Sequence, residues 1–332
     1  VAEVSWSRCG HGDCIRLADV PAGAEVSVRP GRAVAASELP PMAGRLVRDG
    51  ADLCFVPRFG FADGTCYAVT IDGAAAAVLS RGRPDGLATT EVTGIWPTAA
   101  EVPCNLLRLY VWFSAPMSDG YAARHVRLTG DGGEPMTGAL LPSEHELWDP
   151  ARRRLTILLD PARIKRGLPG HRAAGYPLRS GEPFRLDVGS GFRDAKGLPL
   201  LAGAQRRYQV GGAERRHVDP ASWALTIPPA RTREPLQVSF GRPLDHALLA
   251  RCLHVAGPDG QLIDGVPQTG AGEHWQLQPR QAWTPGPHQL IVDPVLEDLA
   301  GNSVSRVFDR DLARQQERPR PARPVILPFR PG

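Results

Sequence analysis

Long hydrophobic runs are missing from this chain. No apolar stretch approaches the roughly 20 residues that a membrane-spanning helix needs, so the chain is not expected to span a membrane; association with one is left to a partner or to a removed leader. A Gly-x-Ser-x-Gly elbow, a phosphate loop and a dinucleotide fingerprint are also missing. Turn glycines such as those in Gly167-Leu168-Pro169-Gly170 lack the strand-to-helix setting that phosphate binding requires. A strong excess of either charge is absent: Lys+Arg 39 stand against Asp+Glu 35, net +4, spread along the chain apart from a basic tail. That balance argues against a nucleic-acid partner. Aromatic residues make up 6%.

Glycine and proline are abundant instead. Gly 36 and Pro 33 make up about a fifth of 332 residues. Both interrupt helices, so the expectation is an all-β chain of short strands joined by turns. The apolar share of 42% is too high for disorder.

Two landmarks recur in the same order. Phe113-Ser114-Ala115-Pro116-Met117-Ser118 ends an alternating run through Leu107, Leu109 and Val111, and Phe240-Gly241-Arg242-Pro243-Leu244-Asp245 ends one through Leu236 and Val238. Period-2 alternation stopping at a proline reads as a strand and its turn. Downstream, Asp194-Ala195-Lys196-Gly197 follows the first copy and Asp298-Leu299-Ala300-Gly301 the second. A fainter match aligns Phe55-Val56-Pro57-Arg58 with Leu277-Gln278-Pro279-Arg280. The expected organisation is three tandem sandwich units: a diverged domain with a cysteine-rich loop over 1–92, domains over 93–212 and 213–310, and an extended Arg/Pro-rich tail over 311–332. Consecutive X-Pro steps keep the tail extended, and Val325-Ile326-Leu327 is a candidate edge strand for a neighbouring unit.

The strand ending in Phe113-Ser114-Ala115-Pro116-Met117 and the turn Asp298-Leu299-Ala300-Gly301-Asn302 resemble the bacterial Ig-like domains of surface-layer and other exported proteins. Glu146 to Pro150 and Asp160 to Gly167 look like segments of uncharacterised exported multi-Ig proteins. The resemblance spans roughly residues 93–310. The match is imperfect at Gly241-Arg242-Pro243-Leu244 and where Leu198 follows Gly197. It implies Ig-like sandwiches and export to the periplasm, cell surface or exterior. It implies no reaction, because this fold hosts many roles.

No catalytic residue is nominated. Six cysteines are compatible with disulfides in an oxidising compartment, and a chain starting at Val1 is compatible with a removed leader or a cloning boundary. Cys9 and Cys14 flank a tight loop and are expected to pair; Cys54 and Cys66 are read as a cross-strand pair, with Cys9–Cys66 as an alternative pairing. Cys104 and Cys252 are expected to be buried thiols. His11 and Asp13 with these thiols form an alternative transition-metal set, although the spacing matches no zinc knuckle. Asp293, Glu297, Asp298 and Asn302 form a candidate Ca²⁺ set, set against a plain type I turn. Glu144-His145-Glu146 with Trp148 and Asp149 is the one cluster suited to acid–base or metal chemistry. Arg163, Lys165 and Arg166, and Arg318, Arg320 and Arg323 in the tail, are candidate partner-binding cations. Trp148, Trp223, Trp275 and Trp283 suit either a glycan-stacking platform or sandwich cores.

These features favour a non-enzymatic exported protein that binds a protein partner or builds an assembly, with no cofactor. The alternatives are a metal-binding enzyme or redox accessory with its site in the first domain or at a domain junction, and a glycan-binding module.

Overall fold

A computed structural model describes residues 2–9, 12–21, 23–31, 40–82, 86–142, 145–270, 272–311 and 322–332. The chain forms two compact units. One comprises Val1–Thr90, Ala115–Ala123 and Gly191–Leu201; the other comprises Glu91–Ser114, Arg124–Ser190 and Ala202–Gly332. The described strands make six sheets, which group in chain order as three sandwiches. Among the described residues no helix is long and apolar enough to cross a membrane.

The first sandwich contains β1 (Glu3–Cys9), β2 (Gly12–Ala18), β3 (Val26–Pro30), β4 (Gly44–Asp49), β5 (Asp52–Pro57), β6 (Cys66–Ile71) and β7 (Ala74–Ser80). One sheet runs β1-β2-β5-β4 and the other β3-β6-β7. Alternate residues point to opposite faces of a strand. Ile15, Leu17 and Phe55 from the first sheet therefore meet Val28, Tyr67 and Val69 from the second in one core.

The second sandwich contains β8 (Val92–Trp96), β9 (Glu101–Pro103), β10 (Arg108–Phe113), β11 (Val126–Gly130), β12 (Leu147–Trp148), β13 (Arg154–Leu158), β14 (Phe184–Val188) and β15 (Ala204–Gly211). Its sheets run β12-β13-β10-β8 and β11-β14-β15-β9. Leu109 and Val111, with Leu155 and Ile157 opposite, turn inward beside Leu128, Phe184, Leu186 and Tyr208 of the other sheet.

The third contains β16 (Ala224–Thr226), β17 (Leu236–Ser239), β18 (Leu253–Ala256), β19 (Gly265–Thr269), β20 (His274–Pro279), β21 (His288–Val292) and β22 (Val325–Phe329). Its sheets run β16-β17-β20-β19 and β18-β21-β22. The candidate edge strand in the tail forms, and its partner is β21, with His288 opposite Phe329 and Val292 opposite Val325. Phe329 joins the core of Trp223, Trp275 and Trp283. Residues 325–329 thus complete the third sandwich rather than continuing a separate tail.

The internal repeats have structural counterparts. Met117 bridges Asp194, and Leu244 bridges Asp298, so each proline turn meets its own Asp-x-x-Gly turn. The faint third match is topological too: β5 and β20 each lie third in a four-stranded sheet. Gly44 faces Pro57 and Gly265 faces Pro279 across the ladder. A Cβ on Gly44 would overlap the Phe55 ring, and one on Gly265 would lie 2.6 Å from the Gln278 carbonyl oxygen. These two glycines are required by close approach of the neighbouring strand.

Candidate functional site: an ionic junction between the second and third sandwiches

Strand β10 explains the site. Its odd-numbered residues fill the core, so Arg108, Tyr110 and Trp112 project from the opposite face. That face meets the third sandwich at Asp245, the N-cap of the short helix His246–Cys252, where one carboxylate oxygen accepts from the Leu248 N–H at 3.1 Å. The other oxygen accepts from the Tyr110 hydroxyl at 2.7 Å and lies 3.5 Å from the Arg108 guanidinium. Arg108 also pairs with Glu297, which Arg306 approaches from the other side at 3.4 Å. Burial works against the charged Arg108, but Tyr110, Asp245 and Glu297 raise its pKa and keep it a cation. Burial and the Asp245 charge both push the Tyr110 phenol up, so it stays a donor. Trp96 stacks on His246 at 3.5 Å between ring centroids, and Trp112 meets the same imidazole edge-on. Burial lowers the His246 pKa, which favours the neutral ring in that stack.

A second cluster surrounds the Asp298 turn. Asp298 Oδ1 accepts from the Ala300 and Asn302 N–H groups at 2.9 Å each, and Oδ2 faces Arg242 at 3.2 Å and the Asn302 amide at 3.0 Å. Arg242 also reaches Glu214 at 3.1 Å, and Glu214 pairs with Arg216 at 2.6 Å. Burial pushes Glu214 up, yet Arg216 and Arg242 outweigh it and hold its carboxyl at about 2. Burial dominates at Asp298, lifting it to about 6 against the pull of Arg242 and Asn302. A cavity of about 200 Å³ opens here, bordered by Glu101, Glu214, Arg242 and Asp298.

The third cluster centres on Asp309, which has no solvent exposure. Arg166 Nε lies 3.1 Å from Oδ1; Arg215 Nε and the Tyr176 hydroxyl lie 2.9 and 2.6 Å from Oδ2. Burial, then the bond to Asp309, pushes the Tyr176 phenol up to about 12. Asn105 ties the clusters together, exchanging two hydrogen bonds with the Glu214 backbone at 2.7 and 2.9 Å and reaching Asp309 at 3.4 Å.

Several expectations from sequence need correction. The Ca²⁺ set is already engaged by protein donors: Asp298 as above, Glu297 by two arginines, Asp293 by the Val295 N–H at 2.9 Å, and the Asn302 side-chain oxygen by the Phe308 N–H at 2.9 Å. Among the described residues no group of three or more His, Cys, Asp or Glu is placed to hold a metal. Asp13 pairs with Arg81 at 2.5 Å, and His11 lies outside the described residues. The described residues contain no disulfide. Cys54 and Cys66 belong to different sheets, so they are not a cross-strand pair, and the Cys66 sulfur meets the Ser80 hydroxyl at 3.3 Å. Cys9, Cys14 and Cys54 gather as thiols on the face of the first sheet opposite its core, in a small cluster with Val56. Burial and its two thiol neighbours push Cys14 up to about 12, and burial raises Cys54.

The candidate partner-binding cations of the second sandwich are spent inside the chain. Arg163 donates to the carbonyls of Gly138, Ala174, Gly175 and Tyr176. Lys165 sits 4.5 Å over the Phe308 ring, and Arg166 holds Asp309. Arg323 is exposed just before β22, whereas Arg318 and Arg320 lie outside the described residues. Glu146 accepts from the Trp148 indole at 2.8 Å and Asp149 from the Arg153 and Arg154 N–H groups, a turn arrangement; Glu144 lies outside the described residues. Trp223, Trp275 and Trp283 are core residues and cannot form a stacking platform.

No family model matches the chain, and no curated protein matches it. Solved structures with similar arrangements include native alpha-2-macroglobulin from Escherichia coli spanning domains MG0-NIE-MG1 (8% identity, 61% of this chain, 66% of that one, TM-score 0.25). This chain spans just under two thirds of that fragment. The FN1-FN3 domains of chicken CNTN1 (10% identity, 99% and 98% coverage, TM-score 0.21) and the I9-I11 tandem of titin (10%, 86% and 89%, TM-score 0.18) are further examples. Scores this low carry no argument, and the description of the chain as a multi-domain β-sandwich protein rests on its own sheets.

Proposed function

We propose that this chain is a non-enzymatic, exported binding protein whose second and third sandwiches act as one stiff arm presenting a surface to a protein partner. The observation that carries this reading is the junction itself. Asp245, Glu297, Asp298 and Asp309, buried carboxylates in a setting where acid–base chemistry would be sought, are each matched by arginines or N–H groups of the same chain. Such pairs add little net stability but fix register and orientation, because removing either partner leaves a buried charge. A junction of this kind sets the spacing between two sandwiches, which suits a scaffold. Export and a surface or periplasmic location follow from the resemblance noted above and belong to the same proposal.

The test is site-specific photo-crosslinking in the native cell. A crosslinker replaces Val266, which is half-exposed on edge strand β19. A discrete protein adduct, found in the exported fraction, is expected. Turnover of a substrate in a broad hydrolase and oxidase panel, with no adduct, would overturn the reading.

A further inference from the structure

The three ionic clusters of the junction are not equally balanced. Around Asp245 and Glu297 stand Arg108 and Arg306, two acids and two bases. Around Glu214 and Asp298 stand Arg242 and Arg216, again two and two. Asp309 alone holds both Arg166 and Arg215. Among the described residues neither arginine is ion-paired with a second carboxylate, so the third cluster carries one surplus positive charge.

This surplus faces an opening. Arg215 lines an open cavity of about 460 Å³ whose wall includes Tyr176, Leu178, Arg179, Ser180 and Ala213. The guanidinium is held in a fixed plane, with Nε on Asp309 at 2.9 Å and one terminal nitrogen on the Tyr176 hydroxyl at 2.6 Å. Among the described residues the other terminal nitrogen has no hydrogen-bond partner. Arg179, on the same wall, is 80% exposed, and its pairing with Glu182 at 3.7 Å is long and solvated, so it costs little to redirect. A planar, pre-oriented guanidinium beside a second mobile one is the arrangement that receives a carboxylate by two parallel N–H bonds. One surplus charge matches a singly charged oxyanion better than a dianionic phosphate.

We propose that the Tyr176–Arg215–Arg179 cavity binds a carboxylate presented by a protein partner. This rests on the protein-binding reading above and specifies the chemistry by which a partner is held. A glutamate side chain and a free peptide C-terminus offer the same group, and the probes below separate them.

The full chain is titrated with capped hexaglutamate, capped hexaglutamine, an otherwise neutral peptide with a free C-terminal carboxylate, and inorganic phosphate, with affinity read by isothermal titration calorimetry for every variant and the Arg215 Nε–H resonance followed by NMR where Arg215 is retained. Saturable, salt-sensitive binding of hexaglutamate or of the free C-terminus is expected, whichever is tighter naming the source. Hexaglutamine should not bind. Arg179→Gln, which removes an exposed guanidinium, should weaken carboxylate binding at least tenfold without changing the melting temperature. Arg215→Gln should abolish it. Equal binding of hexaglutamine, tighter binding of phosphate, unchanged affinity in Arg179→Gln, or no response to either carboxylate at millimolar concentration would each overturn the assignment. If the carboxylate probes fail while the Val266 crosslink still captures a partner, this cavity is wrong and the binding reading stands. If both fail, the binding reading fails with it.

Discussion

Replacing Arg108 with methionine tests the junction most directly. The substitution keeps an unbranched apolar stem and removes the guanidinium that faces Asp245 at 3.5 Å and pairs with Glu297. Both carboxylates are nearly inaccessible, with side-chain exposures of 2% and 10%. Breaking a buried pair by deleting one partner typically costs about 3–5 kcal/mol. The loss should not double, because Arg306 still approaches Glu297 and Tyr110 still donates to Asp245. The expected destabilisation at pH 7 is therefore about 3–5 kcal/mol, read from urea denaturation with a shared m-value. A loss under about 1 kcal/mol at pH 7 would refute the claim that this cluster locks the two sandwiches.

Glu214→Gln should show a pH-dependent effect. A carboxyl lowered from 4.5 to about 2 contributes up to about 3 kcal/mol, reduced to roughly 1–2 by the solvent at its edge; this is present above pH 4.5 and lost as pH falls toward 2, so the variant and wild type should converge in acid melts. Gly265→Ala forces a Cβ against the Gln278 carbonyl and should cost about 1–3 kcal/mol, measured by thermal melts, with Gly270→Ala, whose nearest atom would be 3.4 Å away, as the milder control. In the first sandwich, thiol titration at pH 8 should label half-buried Cys9 ahead of Cys14 and Cys54, whose thiols burial keeps protonated; early loss of Cys14 as a disulfide with Cys9 in native protein would restore the pairing expected from the sequence.

The sandwich architecture was legible because it rests on period-2 alternation and on turn chemistry, both local properties. Leu107, Leu109 and Val111 announce a strand whichever surface lies behind it. The matched pair Phe55-Val56-Pro57 and Leu277-Gln278-Pro279 even marks equivalent strands, although the reason, Gly44 and Gly265 opposite the prolines, becomes visible only with register. The junction was harder. Its members come from three separate stretches, Asn105 to Tyr110, Asp245 and Asp309, and although Asp245 ends the second proline landmark, nothing in that landmark announces its partners. One signal was available: the outward positions of β10 are Arg108, Tyr110 and Trp112, too aromatic for a simply solvated face. Arg163, Lys165 and Arg166 misled for the converse reason, since charge content says nothing about whether a cation meets water, a carbonyl or a buried acid. The Cys54–Cys66 pairing failed on sheet membership, because consecutive strands β5 and β6 go to different sheets.

The repeated Asp-x-x-Gly turn joins these two levels. In both copies Oδ1 of the aspartate closes the turn, taking the Lys196 and Leu198 N–H groups at Asp194 and the Ala300 and Asn302 N–H groups at Asp298. Closing the turn therefore consumes one oxygen and leaves the other for a partner from elsewhere in the chain. At Asp194 that partner is the Thr90 hydroxyl, 2.8 Å away in the same compact unit; at Asp298 it is Arg242, which carries Glu214 with it. A hydroxyl makes a neutral tether, whereas an arginine brings a second acid and builds a cluster. The same local geometry thus anchors a single segment in one repeat and an ionic network in the other: Arg242 stands where the first landmark has Ala115, and there the free oxygen is taken by Thr90 from the segment ahead of the landmark.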